Sequence, residues 1–352
     1  MTEVWRARIH AQGLQTRPFA SPAETVAHFG GVQSQEYIWS RWALGARINS
    51  VTETQVDEAL ATGAIVRTHV LRPTWHFVTP ADLHWLLTAT ADRVRQINAS
   101  SNKREGLDAA TLDRHAEIIV EALSAEPHLT RKEIAEHLVA SGLEVGSGQR
   151  LSYIVMHAEL HGLIASGPLQ GKHHTYRLVS GIASAPPSSS VDEARIRLAQ
   201  TYVRGHGPSR AEDLAWWSSL SLTQARKALA EADLPLVRLD GEDYYASTEH
   251  PALADDSAYL LPPYDEYVSY KHGPSDPGLT DFGLATDRWA GGYVIAAGLI
   301  RGNWFRTLNG AGLVVQIRLA TDVNSKQRAA LRDEAHRFGV FCAGDTRVEL
   351  SS

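Results

Sequence analysis

The chain has 352 residues, 43% of them hydrophobic and 21% charged, with a formal net charge of −6, so several domains with ample core are expected. The single cysteine, Cys342, excludes an internal disulfide and any thiolate-rich zinc site. No run of roughly 18 apolar residues offers a membrane span, and no opening stretch has the pattern of a signal peptide, so a cytoplasmic protein is expected.

In chain order, "SPAETVAHFG", "EYIWSRWALGARI" and "TETQVDEALATG" read as three helices, followed by a long hairpin through Arg72-Pro73 in "AIVRTHVLRPTWHFV". Thr79 is the expected cap of the next helix, "TPADLHWLLTATADRVRQINA". The order recurs more legibly in "LDRHAEIIVEALSAEP", "LTRKEIAEHLVASG" and "GQRLSYIVMHAELHGL". In the second of these, Thr130 and Glu133 have the spacing of a capping box. A strand, a Gly-rich turn and a strand follow in "IASGPLQGKHHTYRLV". After the turn formers "ASAPPSSS" the pattern appears again as "VDEARIRLAQTYVRGHG", "PSRAEDLAWWSSL" with Ser209 as its expected cap, and "SLTQARKALAEAD". A hairpin turning at Asp240-Gly241 closes it.

Three helices and a hairpin form a winged helix-turn-helix, and three copies form an internal repeat. The C-terminal part reads differently. "AYLLPPYDEYVSYK" is a strand entering an aromatic loop, and "GPSDPGLTDFG" is loop. "GGYVIAAGLIRGNWFRTLNGAGLVVQIRLA" alternates as two or three antiparallel strands with turns near Gly302 and at "NGAG". "NSKQRAALRDEAHRFG" is a closing helix, and this sheet is expected to pack on the last winged helix. The expected fold is α+β, mainly helical, with three tandem winged helix-turn-helix units and a small C-terminal antiparallel β-sheet. The expected boundaries are 1–106, 107–185, 186–256 and 257–352.

Charge is uneven. Residues 1–105 carry 11 Lys+Arg against 9 Asp+Glu, so −8 lies beyond them. The acid falls mostly on amphipathic helices, where a solvated face accounts for it, and net charge alone does not decide for or against nucleic acid. As base readers, Gln149 and Arg150 in the second unit and Gln224, Arg226 and Lys227 in the third are sparse material. The histidine pairs His69/His76, His157/His161 and His173-His174 lack the glutamate of an HExxH helix, so no metal and no cofactor are expected. No G-x-S-x-G, P-loop or Rossmann glycine pattern occurs.

The stretch "GGVQSQEYIWSRWALGAR" places Gln33 and Gln35 two apart beside a Gly-Gly break. On a helix such residues point about 200° apart, whereas in an extended connector they project to one side and converge on one small target. They read either as polar residues of a helix-entry turn or as a catalytic pair. Glycosidic hydrolysis normally uses two carboxylates. A base already carrying positive charge, such as an N7-alkylpurine, leaves without an acid, and amides that hold water or steady a sugar cation suffice for it.

"GGVQSQEYIWSRWALGAR", "RTHVLRPTWHFVTPADLHWL" and "YLLPPYDEYVSYK" together resemble the winged-helix bacterial DNA glycosylases typified by AlkZ and YcaQ. The resemblance spans nearly the whole chain. It implies a C-shaped array of winged helices with a basic channel, in which the Gln-x-Gln of AlkZ-like members is the catalytic signature. Gln33 and Gln35 take those roles, although Ser34 stands where the family is often apolar. The implied activity is monofunctional excision of bulky N7-alkylpurines from double-stranded DNA and unhooking of interstrand crosslinks, leaving an abasic site.

Further expectations attach to single residues. Asp265 is a candidate to orient water or an amide, or else caps its loop, and Glu266 lies in the same family segment. Arg67, Arg72 and His76 in the first wing are candidates for phosphate or the abasic sugar, with an inward hydrogen-bonded role equally open for His76. Arg41 and Arg47 are candidates to line the channel. Arg150, and Lys172 with His173 and His174 in the second wing, are further DNA-binding candidates. The family's DNA-probing hairpin maps onto "GLIRGNWFRTLNGAGL", with Arg301 and Arg306 near phosphate and Trp304 or Phe305 in the core. A monomer is expected. A DNA-binding transcription regulator without catalysis, or a protein-interaction scaffold, are the alternatives.

Overall fold

Helix starts in this chain are written by short polar side chains that accept the orphan N–H groups of a first turn. The computed structural model describes residues 2–183, 189–246, 256–274, 291–309 and 312–351. The first unit comprises α1 (Thr2–Ala11), α2 (Pro22–Phe29), β1 (Val32–Gln33), α3 (Tyr37–Gly45), α4 (Glu53–Thr62), β2 (Val66–Arg72) and β3 (Thr74–Val78), and leads into α5 (Pro80–Arg104). Ser21 caps α2, and a Thr52–Gln55 capping box starts α4. Thr79 occupies the cap position of α5 without capping it, because its hydroxyl donates to Asp82 Oδ2 at 2.7 Å.

The second unit comprises α6 (Ala109–Ala125), β4 (Leu129–Thr130), α7 (Arg131–Ala140), α8 (Gly148–Leu160), β5 (Ile164–Gln170) and β6 (His173–Leu178). The Thr130–Glu133 capping box is formed as expected. The third unit comprises α9 (Val191–His206), α10 (Ala211–Ser218), α11 (Leu222–Glu231), β7 (Leu236–Leu239) and β8 (Glu242–Tyr245). Its turn at Asp240-Gly241 has positive φ at both positions, 49° and 83°, which is why Asp-Gly is there. Ser209 does not cap α10. It bridges Tyr245 of β8, and Arg210 takes the cap position.

A short segment between α2 and α3, α6 and α7, or α9 and α10 joins the hairpin of its unit. The sheet orders are β1-β3-β2 and β4-β6-β5, and Ser209 is the single-residue counterpart beside β7-β8. The C-terminal part holds β9 (Ala258–Leu261), β10 (Gly292–Ala296), β11 (Leu299–Asn309), β12 (Gly312–Leu319), α12 (Ser325–Phe341) and β13 (Thr346–Ser351), in the sheet order β13-β12-β11-β10-β9. The chain is an α+β protein, roughly half helical among the described residues.

This sheet corrects the expectation in three respects. It is antiparallel through β9–β12, but β13 returns after α12 and pairs parallel with β12. The β10–β11 turn is at Ala297-Gly298, and Gly302 lies inside β11, where a Cβ would stand 2.0 Å from Arg318 O. The third respect is its partner: its apolar face is shared with the first unit. Trp5, Ile9, Phe29 and Trp42 belong to one core with Leu260, Val294, Trp304, Ile317 and Phe338, and the Trp42 indole donates to Leu260 O at 2.7 Å. A second core joins β2 and α5 to α9, α10 and α11. A third lies within the second unit, from Leu107 to Tyr176. The "GPSDPGLTDFG" loop beyond residue 274, most of the "ASAPPSSS" stretch and the centre of the "NGAG" turn lie outside the described residues. Among the described residues no helix is long and apolar enough to cross a membrane.

Candidate active site

The chain leaves α2 through Gly30 at φ 77°, a left-handed cap that suits glycine, and then runs extended. Val32 pairs with Phe77 and Gln33 with His76, and Ser34 N donates to Trp75 O at 2.7 Å, extending the pairing one residue further. Val32 and Ser34 are buried, Gln33 is half-buried and Gln35 is exposed. The alternation puts both amides on one side, as two-residue spacing in an extended segment requires.

Each amide has a fixed orientation. Arg72 Nη2 donates to Gln33 Oε1 at 3.2 Å, and Trp75 N donates to Gln35 Oε1 at 3.4 Å. Neither donor can accept, so each glutamine turns its oxygen toward its anchor and leaves its NH2 as the free end. Arg67 holds the main chain between them, donating through Nε to Ser34 O at 3.0 Å and through Nη2 to Gln35 O at 3.4 Å. Its guanidinium lies 4.5 Å over the Trp75 ring. Arg67 and Arg72 thus shape the motif from behind.

Gln35 borders a cleft of about 1030 Å³ between the first and second units. One wall carries Tyr37, Arg67 and Trp75, and the other carries Arg131, Lys132, Lys172, His173 and Tyr176. The second hairpin meets the start of α3 where His174 packs edge-on against Tyr37, with ring centroids 4.6 Å apart. Burial, and then the cations Arg67, Arg131 and Arg41, push His174 down to about 4, leaving it neutral at physiological pH.

Among the described residues the buried carboxylates beside the pair are engaged, whereas Glu36, next to Gln35, is exposed and does not cap α3. Glu266 Oε1 accepts from Gln33 N at 2.7 Å, and its Oε2 accepts from His206 and Trp217. Asp265 accepts from Arg47 at 2.7 and 2.9 Å and from Tyr267 N. At the cleft, Glu133 is held in the Thr130 capping box and Glu136 pairs with Lys132 at 3.5 Å. The arrangement can orient a small polar group with amide N–H donors, and its buried carboxylates Asp265 and Glu266 are held by their own partners.

Several expected site residues lie elsewhere. Arg47 is 1% exposed and bonded to Asp265, Gln12 and Ala43 O, so it lines no channel. Asp265 is its partner and the cap of the short turn at Glu266–Val268, which removes it from the reacting side. His76 is fully buried, donates through Nδ1 to Thr74 O, and is pushed down to about 3 by burial and by Arg72; a neutral interior ring cannot hold phosphate. Arg150 folds back onto Glu105 O. Arg41 pairs with Asp57 at 2.9 Å and Glu53 at 3.3 Å, and Arg306 reaches Glu53 at 3.4 Å while lying over Trp39. Arg301 contacts Thr321 Oγ1 at 3.5 Å. Trp304 is core, and Phe305 is half-buried. Gln33, Gln35, Arg67 and Arg72 converge, with Lys172 and His173 exposed across the cleft. Tyr37, Trp75 and Arg131 carry no site signal of their own in the sequence, although all three lie in segments already quoted.

Comparison with known proteins agrees with this geometry. A family model described as DNA glycosylase AlkZ-like matches residues 26–341. The chain is 24% identical over 261 residues to an interstrand DNA cross-link repair glycosylase of Streptomyces sahachiroi, covering 70% of each. The solved structure of the Streptomyces sahachiroi DNA glycosylase AlkZ superposes with a TM-score of 0.81 at 21% identity, over 99% of both chains. With the family model spanning most of its length, the chain belongs to the AlkZ-like family and is a DNA glycosylase.

Proposed function

We propose that this glycosylase removes N7-alkylated purines from duplex DNA, bulky adducts included, and unhooks interstrand crosslinks made through such bases. The observation that carries this reading is the pair of oriented amides, with the buried carboxylates Asp265 and Glu266 beside them already engaged. A motif built on neutral amides rather than a carboxylate pair suits a leaving group that is already cationic. The N9–C1′ bond breaks with its electron pair passing to the purine, whose positive charge it cancels. Water then bonds to C1′ and loses a proton to solvent, and an abasic site remains. Gln33 and Gln35 hold the attacking water through their free amide N–H groups. The name of the Streptomyces sahachiroi relative supports the crosslink part.

We further read the three helix-plus-hairpin units as winged helices, bounded at 1–106, 107–185 and 186–256, with 257–352 as a C-terminal subdomain, arranged as a C around the duplex. Lys172 and His173 face phosphate across the cleft, and an open cleft of this size spares a bulky base from entering a closed pocket. The enzyme works as a monomer in the cytoplasm. The regulator and scaffold alternatives fall with membership of an enzyme family.

The test is base release from a duplex carrying one N7-alkylguanine, comparing wild type with Gln33→Ala, Gln35→Ala and the double variant. Wild type should yield abasic product, and each single variant should lose about a hundredfold in rate, about 2.7 kcal/mol, with DNA affinity retained. Absence of release from several N7 adducts and a crosslink, with duplex binding intact, would remove this substrate class.

A further inference from the structure

Glu266 is fully buried, yet its three hydrogen bonds reach three separated parts of the chain. Oε1 accepts from the main-chain N–H of Gln33 at 2.7 Å. Oε2 accepts from His206 Nε2 at 2.9 Å and from the Trp217 indole at 2.8 Å, which belong to α9 and α10. Burial alone would raise its pKa, but the His206 bond, the Arg72 cation and the Gln33 N–H together pull it down to about 2. It is therefore an anion, while burial lowers the pKa of His206 and leaves that ring neutral.

Gln33 consequently sits between opposite charges. Its main-chain N–H meets the buried anion, and its side-chain oxygen meets Arg72, whose charge Glu266 balances. We propose that Glu266 is a positioning residue for base excision: it fixes Gln33 at the main chain and, through Arg72, fixes which end of the Gln33 amide faces the substrate. Three donors converge on this carboxylate, and only an acceptor-only group satisfies them all. A glutamine in its place keeps the volume but turns an NH2 toward a donor and leaves Arg72 without its counter-charge. The Gln33 amide is then free to turn over. This inference rests on the catalytic reading of Gln33 above.

The experiment has two arms. In protein labelled with 15N-glutamine and free of DNA, the Gln33 amide proton, identified by its loss in Gln33→Asn, should resonate well downfield in wild type. It should move upfield in Glu266→Gln. In single-turnover release from an N7-methylguanine duplex, Glu266→Gln should slow the rate at least tenfold with the DNA Kd within twofold. Trp217→Phe, which removes one N–H and keeps the ring, should slow it about threefold. Rate and affinity falling together, or a rate that holds while the downfield shift is lost, would overturn the proposal. Should Glu266→Gln fail to fold, an unchanged rate in Trp217→Phe would do the same. A wild type that releases no base fails the substrate assignment instead, and the resonance arm still reports whether Glu266 holds Gln33.

Discussion

The first and second units thread the same slot with different chemistry. In each, a two-residue strand, between α2 and α3 or between α6 and α7, pairs with the second strand of the hairpin: Val32↔Phe77 and Gln33↔His76 in one, Leu129↔Tyr176 and Thr130↔Thr175 in the other. In the second unit α7 begins immediately, and Thr130 is its cap. In the first, residues 34–36 intervene before α3, and the chain stays extended long enough to carry a second amide on the same side. The second unit also has a core of its own, whereas the first divides its apolar residues between a core shared with the C-terminal sheet and one shared with the third unit. A self-contained repeat can end its slot with a cap. The repeat that carries the glutamine pair is braced by distant charged groups instead.

The strongest of those braces is the Arg47–Asp265 pair, in which both side chains are buried. Arg47→Met should destabilise the protein by about 3–5 kcal/mol, because it leaves the Asp265 carboxylate buried without its partner. The midpoint of denaturant unfolding measures this. A variant of unchanged midpoint with weakened DNA binding would restore Arg47 to the channel and break the contrast.

Acid should next distinguish the paired positions of the two slots, while His174 of the second unit, pushed down to about 4, adds a loss of its own. His76 is about 3 in the folded chain against 6.5 unfolded, whereas its counterpart Thr175 does not titrate. As pH falls below 6.5 the unfolded chain takes up the proton first, so stability is full above 6.5 and is lost progressively on acidification. The loss is up to about 1.4 kcal/mol per pH unit for one such group. Glu266, depressed to about 2, adds its own loss only below the ordinary carboxylate range, near 4.5. Unfolding free energies between pH 6.5 and 4.5 should therefore fall less steeply in His76→Gln than in wild type, and equal slopes would show that His76 is not the group responsible.

What the sequence disclosed was local. The Thr130–Glu133 capping box, the Asp240-Gly241 turn and the extended run of the glutamine pair follow from residue types at short spacing, and each formed as its chemistry requires. What stayed hidden is set by tertiary packing. Arg47 and Asp265 are 218 positions apart, and Gln33 and Glu266 are 233 apart; nothing within either segment marks which partner will neutralise a buried charge. An arginine after a reactive motif reads as a phosphate ligand, and only burial shows that it serves the interior. The strand at β13 was hidden for a related reason, since a parallel edge partner arriving after a helix has no turn to announce it.

The smallest expected effect is at Thr130. Its hydroxyl accepts from Glu133 N at 3.3 Å, and Glu133 Oε2 accepts from Thr130 N at 2.7 Å. Thr130→Ala removes the first bond and leaves the second, which should cost about 1 kcal/mol of stability. Thermal unfolding should register this modest loss, and base release should stay within twofold of wild type. Thr130 borders the cleft opposite Gln35, so the result is not trivial. A tenfold slower release at unchanged stability would place chemistry on both sides of the cleft, and the second unit would then be part of the reaction rather than the wall that faces it.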